Sequence, residues 1–408
     1  MDAAPIQHGQ LQLAAGEEPA APAIVLTRPG ALAAAMAAGC VGLLMLGVQP
    51  MVLGALVAEH RLSMQALAQA ATVEMLGLGI VSGGLGALLQ HRHLRIWGAG
   101  ACIALAAANL GCLSATGVGL IALRAAAGAA GGVLLWITTG LTTRHPAAVR
   151  LSALFFGSSA LTQAALAAVI PVFAPFFGAN AGLVLLAGLA LLSLPLVLCF
   201  PHALPDLAKS APGQGALSRA GGFGLLATFL LMAGIVGLWV FIDQLGRAYG
   251  VAKQTVALAI AASLAAQVAG AGLVGWIGPR ISPPFGLAVV GLALIACVGA
   301  LAFDRHVASY VSGTLAVGFL WPCAMVMFVP LLIRLDPTRR AAMLLPGVQL
   351  LGSGAGPVVT GAFARSAELS PVLAAAAALF GAGVLAILAA VVAQRGGQGD
   401  PIGVRTIA

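Results

Sequence analysis

Three ionisable side chains stand inside otherwise apolar stretches: Glu74, Arg124 and Asp243, with Arg247 one helical turn beyond Asp243. Each could carry a proton, bind a charge or lock two helices together. A charge in hydrocarbon costs about 2.5–3.5 kcal/mol on translocon scales, so such a residue faces a cavity or a partner. Glu74 and Arg124 lie at similar depth, roughly 10 Å in from the same end of their segments at ~1.5 Å per residue. They are expected to meet, directly or through water. Two readings of the pair stand: a static ion pair that fixes packing, or a proton site in which Arg124 acts on Glu74 by proximity. Asp243 and Arg247, spaced i,i+4, either form a boundary pair on one helix face or leave Asp243 lining a cavity. In the second case Asp243 would bind a proton or a cationic group, with Trp239 and Gln244 as its neighbours. Gln49, Asn109, Gln163, Gln267 and Gln349 are each an interhelical hydrogen bond or a ligand. Trp321-Pro322 and Pro50 mark bends, because proline removes a backbone donor and crowds the preceding turn.

These residues need elements that hold them in lipid. Of 408 residues, 61% are hydrophobic and 7% charged, with a mean hydropathy of +1.06. Soluble domains carry about 45–50% apolar and about 25% charged residues, so a water-soluble fold of this length would have no polar surface. The apolar runs are long and unbroken, as in Leu183–Phe200 and Pro371–Ala393. A β-barrel would instead alternate over segments of about ten residues between aromatic girdles. Helices of about 20 residues span the bilayer, and the abundant Ala and Gly let their backbones approach.

Twelve spans are expected: 31–57, 67–89, 94–115, 117–142, 151–174, 180–200, 222–247, 255–277, 284–303, 307–333, 341–364 and 370–393. The domain plan is a disordered cytoplasmic tail (1–29), a six-helix bundle (30–200), a cytoplasmic linker (201–221), a second six-helix bundle (222–393) and a second cytoplasmic tail (394–408). Residues 1–29 lack the basic start and cleavage site of a signal peptide. With the N-terminus inside, thirteen basic residues, including Arg92, Arg95, Arg144, Arg339 and Arg340, fall on the cytoplasmic side and five outside. That bias favours both termini in the cytoplasm. The same spread, one or two residues per loop, argues against a nucleic-acid surface despite the formal charge of +8. His91 and His93 read as loop residues that add charge only at low pH. The six cysteines fall in spans without metal-ligand spacing and read as small apolar packing residues. No nucleophile elbow, phosphate loop or metalloprotease motif is present in the sequence.

The halves match in order. Val41-Gly42-Leu43 precedes Gln49 as Val236-Gly237-Leu238 precedes Gln244; Arg144-His145-Pro146 corresponds to Arg334-Leu335-Asp336-Pro337; Gly128 corresponds to Gly318. A two-fold repeat is a known transporter plan. Arg124-Ala-Ala-Ala-Gly128, followed by Gly131 and Gly132, resembles the Arg-x-x-x-Gly motif of the major facilitator superfamily. Asp336-Pro337-Thr-Arg339-Arg340, leading to Gly352-Ser-Gly354-Ala-Gly356-Pro357, is similar to a stretch common in its bacterial members. Gly86-Ala-Leu88-Leu-Gln90-His91-Arg92-His93-Leu-Arg95 sits where the family's Gly-x-x-x-Asp-Arg-x-Gly-Arg-Arg loop belongs, with Gln90 for the Asp and His93 for the second Gly. Span five lacks the Gly-Pro motif of the family's antiporters. The resemblance implies two bundles around a central cavity that opens alternately to either side, with Arg92, Arg95, Arg339 and Arg340 in the gating loops.

The reading is an all-α membrane protein of about twelve helices in two pseudo-symmetric bundles, and not an enzyme. Its expected role is secondary transport of a small organic solute, drug-like or an aromatic or organic-anion metabolite, with a proton as candidate coupling ion. It is expected as a monomer in a bacterial inner membrane, with no cofactor, metal or nucleic-acid partner. The rival reading is a non-transporting sensor or scaffold that keeps the fold.

Overall fold

The computed structural model describes residues 29–145, 147–204, 217–336, 340–364 and 368–398. Residues 1–28, most of the linker, Arg339 and residues 399–408 lie outside them, and the first residues of the expected C-terminal tail, 394–398, are the end of the last helix. Fourteen α-helices run in order among the described residues. The first seven are α1 (Pro29–Ala58), α2 (Met64–Leu88), α3 (Leu94–Gly111), α4 (Gly117–Thr143), α5 (Ala148–Phe177), α6 (Ala181–Leu192) and α7 (Leu194–Val197). The second seven are α8 (Arg219–Trp239), α9 (Ile242–Ala248), α10 (Lys253–Ile277), α11 (Pro283–Phe303), α12 (Val307–Leu335), α13 (Arg340–Gly361) and α14 (Ser370–Gln398).

Eleven stretches are long and apolar enough to span a bilayer, and one of them, Arg150–Val197, runs for 48 residues. At ~1.5 Å per residue that is over twice the ~30 Å hydrocarbon thickness. It turns back at Gly178, where a φ of 58° admits glycine without strain, so it crosses twice. The protein is a multi-pass α-helical membrane protein of twelve crossings, as its sequence leads one to expect. Two spans depart from the expected continuous rods. Span six breaks at Ser193 before Pro195, giving α6 and α7, and span seven breaks at Val240–Phe241, giving α8 and α9. The helix of span seven also starts at Arg219, earlier than residue 222, because Ser218 caps it by accepting from the Gly221 amide at 2.9 Å.

Each half has two ends, which we name by the linker (residues 205–216) and by the opposite hairpins. At the hairpin end of the first half, Arg61 donates to Asn180 Oδ1 at 2.7 Å, to Ala115 O at 2.9 Å and to Cys112 O, tying three turns together. At the linker end, Asp336 caps α13 by accepting from the Ala341 amide at 2.9 Å.

Packing within the halves rests on small residues. A Cβ on Gly128 of α4 would overlap the Glu74 carbonyl of α2, and one on Gly318 of α12 would overlap Ser263 of α10. Gly42 and Gly131 meet reciprocally between α1 and α4. Of the cysteines, Cys40, Cys102, Cys112 and Cys323 are buried, Cys297 is half-buried and Cys199 is exposed beyond α7.

Gly128→Val is expected to lower stability by at least about 1–3 kcal/mol, the usual range for overpacking. Gly100→Ala on α3, where a Cβ meets open space, should be neutral or slightly stabilising. Thermal melts in detergent check both, and equal melting temperatures would refute the packing role of Gly128.

Candidate functional site

The crossing of α2 and α4 at Gly128 places Arg124, one turn earlier on α4, against Glu74. Arg124 Nη1 lies 3.4 Å from Glu74 Oε1, and Arg124 Nη2 donates to Asn109 Oδ1 at 2.7 Å. Asn109 is held in turn by donating to the Leu105 carbonyl at 2.8 Å. All three side chains are buried. Gln49 of α1 lies beside the Glu74 carboxyl, short of hydrogen-bonding geometry, and Glu74 Oε2, Arg124 Nε and both Gln49 amide atoms complete no hydrogen bond. Glu74, Asn109 and Arg124 line a cavity of about 10 Å³ walled by Val41, Met45, Leu78 and Leu105, the room of about one water molecule. A buried carboxylate with one free oxygen beside a guanidinium can take up a proton when the pair loosens. Four of the sequence candidates, Glu74, Arg124, Asn109 and Gln49, therefore form one cluster inside the first half.

The others separate from it. Gln163 joins α5 to α1 by donating to the Leu43 carbonyl at 3.0 Å. Asp243 accepts from Arg247 Nε at 2.6 Å and presses on Gly54 of α1, where a Cβ would overlap its Oδ2. Gln244 donates to the Gly54 carbonyl at 3.1 Å. Asp243 thus sits as an ion pair in the hairpin-end seam between the halves. Trp239 donates from Nε1 to the Leu46 and Gly47 carbonyls of α1, both at 3.2 Å. Pro50 lies four residues after Leu46 and has no N–H to give it. The indole takes the carbonyl that Pro50 leaves free. Trp321 stacks edge-on against Trp239 with ring centroids 6.1 Å apart. Gln267 and Gln349 are half-buried on α10 and α13.

Further seams join the halves. On α2 and α13, Ala68 meets Gly361, Leu76 meets Gly354 and Gly79 meets Leu350. Continuing along the same faces toward the linker end, Gly83 on α2 and Gly347 and Met343 on α13 are exposed, and a Cβ on Gly83 or Gly347 meets open space. The packed α5 and α10 repeat this pattern. Ala160 and Ala167 are buried where Phe156 is exposed one turn nearer the linker, and Ala261 and Leu264 are buried where Val268 is exposed. Both seams are shut at the hairpin end and parted at the linker end. A small apolar cluster of Cys40, Leu43, Leu78 and Phe155, packed on Met36, Leu135 and Leu350, roofs the gap.

The loop residues hold their own half. Arg95 donates to the Phe200 carbonyl at 2.8 Å, and Arg92 forms a bridge through its main chain with Ala203. Arg340 is half-buried at the start of α13. His91 corrects its sequence reading: it is buried, stacked on Trp136 with centroids 4.6 Å apart, and 3.3 Å from Arg144 Nη2. The signal that could have found it is Arg144 paired with an aromatic two turns earlier on α4.

The architecture is a polytopic all-α fold of two seven-segment halves. No family model and no curated protein matches the sequence. Among solved structures, the chain is similar to a point mutant of the nucleoside transporter NupG at 11% identity and TM-score 0.70, over 89% of this chain and 99% of that one. It is also similar to a bacterial homologue of the human lysosomal transporter Spinster in an inward-facing, unoccupied conformation. That match has 16% identity and TM-score 0.59, over 90% of this chain and 96% of that one. The fold is that of the major facilitator transporters.

Arg124→Met is expected to destabilise the protein by about 3–5 kcal/mol by leaving Glu74 buried and unpaired, whereas Glu74→Leu with Arg124→Met should recover most of that loss. A double-mutant cycle in thermal melts measures the coupling, and additive effects would show that the two groups do not depend on each other. Pro50→Ala should return Leu46 to its helix bond and weaken the Trp239 contact. A blue or red shift of intrinsic fluorescence, lost in Pro50→Ala/Trp239→Phe, reads this out.

Proposed function

We propose that the protein is a secondary transporter that moves a small organic solute by alternating access, with a proton as coupling ion. The observation that carries this reading is the parting of both seams at one end while Trp239, Asp243 and Gln244 shut the other. Two halves that meet at one end and part at the other enclose a solute path without a continuous pore. The solved transporters with this fold support the same reading. The basic residues gather at the linker end, so the positive-inside bias makes that end cytoplasmic and the cleft inward-facing. The membrane is then a bacterial inner membrane, the termini lie inside and the working unit is a monomer. On this reading transport, not catalysis, is the activity; the buried Glu74–Arg124 pair lies inside one bundle with room for little more than a water molecule.

Glu74 is the coupling residue. It is a buried carboxylate with a free oxygen and a positioned cation, and its neighbours Asn109 and Gln49 can hydrogen-bond either protonation state. In the second half the equivalent crossing carries Ser263 and Thr314, with Ser263 Oγ donating to the Thr314 carbonyl at 2.7 Å. Neither of these can titrate.

Two measurements test the proposal. In proteoliposomes, an inward proton gradient should drive solute accumulation, and Glu74→Gln should abolish that drive while sparing solute counterflow, which needs no net proton movement. Wild-type uptake that ignores the gradient would remove the proton, and no flux of any solute would favour the sensor or scaffold. In a background lacking the native cysteines, a Leu76→Cys/Gly354→Cys pair, which replaces the leucine side chain that meets Gly354, should cross-link readily and block transport. A Gly83→Cys/Gly347→Cys pair should cross-link only in the opposite state, and ready cross-linking of the resting protein would contradict the parted seam.

A further inference from the structure

We infer that the parted seam between α5 and α10 is a lateral portal, through which the cleft takes uncharged, lipid-soluble solutes from the leaflet at the linker end. This rests on the carrier reading above and adds a substrate class and an entry route to it.

The argument starts from one face of each helix. On α10, Ala257, Ala261 and Leu264 are buried, while Val268 and Gly275 of the same face are exposed. On α5, Ala160 and Ala167 are buried, while Ala153 and Phe156 of the same face are exposed. Each set spans about 60° of its helix at ~100° per residue. The helices run in opposite directions, so the two bare stretches coincide at the linker end. Lipid alone does not account for them, because the strips that stay bare along each helix lie elsewhere. Those strips are Leu154, Leu161 and Val172 on α5, and Leu258, Ala265 and Trp276 on α10. Phe156 stands about 140–160° from the first strip, and Val268 about 60–80° from the second. These faces are bare because the seam has parted.

The slot is ~10 Å long on α5, from Ala160 to Ala153, and ~16 Å long on α10, from Leu264 to Gly275. A Cβ on Gly157, Gly272 or Gly275 meets open space. Exposed arginines, Arg150 and Arg280, stand just beyond its two ends. The Arg280 guanidinium lies over the Trp276 ring at 5.8 Å, and tryptophan belongs at the headgroup level. The slot therefore opens into hydrocarbon, and none of Ala153, Phe156, Gly157, Val268, Gly272 and Gly275 brings a polar side chain to it. Charge finds no partner farther in. Between the charged residues at their ends, α1, α5, α8, α10, α12 and α13 hold no Asp, Glu, Lys or Arg. The Glu74–Arg124 pair of α2 and α4 lies behind Leu78. A charged solute would enter without a counter-charge, which is costly, whereas a neutral apolar one passes from hydrocarbon to like surface.

The experiment follows saturable energy transfer from tryptophan to pyrene in lipid nanodiscs, at equilibrium and by stopped flow. The probes are pyrenemethanol, pyrenesulfonate and pyrenemethylammonium, with adenosine as an uncharged, water-soluble competitor. Pyrenemethanol should bind at least about tenfold more tightly than either charged probe, and adenosine should not displace it. A Gly157→Leu/Gly275→Leu pair, whose side chains enter open space, should melt like the wild type. It should slow association and dissociation of pyrenemethanol severalfold and alike, leaving the affinity unchanged. A Gly83→Leu/Gly347→Leu pair on the other seam should leave both rates alone. Binding of adenosine or a charged probe in preference to pyrenemethanol, or no saturable binding of pyrenemethanol, would overturn the class and leave the carrier reading standing. Unchanged rates in the first pair, or slowing by the second pair only, would overturn the portal. In proteoliposomes holding a pH dye, pyrenemethanol should drive proton movement through the wild type. The expected binding order and rates without proton movement would support class and portal and count against the proton-coupled carrier.

Discussion

Lipid gives apolar helices no reason to leave it, so the shape of this chain depends on how closely helix backbones approach one another. The approach is set at a few glycines. Gly128 lets α4 touch the α2 backbone at Glu74, Gly318 does the same between α12 and α10, and Gly42 and Gly131 bring α1 onto α4. The ion pair follows from this contact. Arg124 stands one turn from Gly128, so a crossing tight enough to bury the Glu74 carbonyl also delivers the carboxyl to the guanidinium. A wider crossing would leave two charges apart in hydrocarbon, each several kcal/mol out of place.

The repeat shares its glycine crossings, Gly128 on Glu74 and Gly318 on Ser263, and is unequal in chemistry. The equivalent crossings bury Glu74 with Arg124 in one half and Ser263 with Thr314 in the other. The seam between the halves is unequal along its length. Where it is shut, glycines and main-chain carbonyls meet larger side chains such as Leu76, Leu350, Trp239 and Gln244, and where it is parted, Gly83, Met343 and Gly347 are bare. The pair with a free carboxyl oxygen lies behind Leu78 inside one bundle, and Asp243, which does sit in the seam against Gly54, is neutralised there by Arg247.

Much of this was legible in the sequence because lipid imposes a simple code. Apolar length gives the spans, and a charge in hydrocarbon needs a partner. Glu74 and Arg124 could be matched by depth alone. Asn109 could be seen only as a polar residue, since its role depends on where α3 leans on α4. The breaks at Ser193 and at Val240–Phe241 were not legible, as both lie in runs apolar enough to read as one rod. The exposed faces of α5, α10 and α13 were equally hidden. Hydropathy does not separate a side chain facing lipid from one facing the gap between halves; only the partner across the seam does. His91 was misread for a related reason, because a loop histidine looks solvated until Trp136 and Arg144 are brought beneath it.

The bond from Trp239 to the carbonyl freed by Pro50 has a consequence for the electrical behaviour of the molecule. It joins two neutral dipoles, and the neighbouring bond from Gln244 to Gly54 does the same. Among the described residues, the ion pair in that seam, Asp243 with Arg247, belongs to a single helix, α9, and moves as a unit with no net charge. A membrane potential does work of about 2.3 kcal/mol per elementary charge per 100 mV on charges that cross its field, and these described contacts carry no net charge across the seam. Unlatching the hairpin end is therefore electrically silent, and any sensitivity to voltage must enter through whatever else is carried.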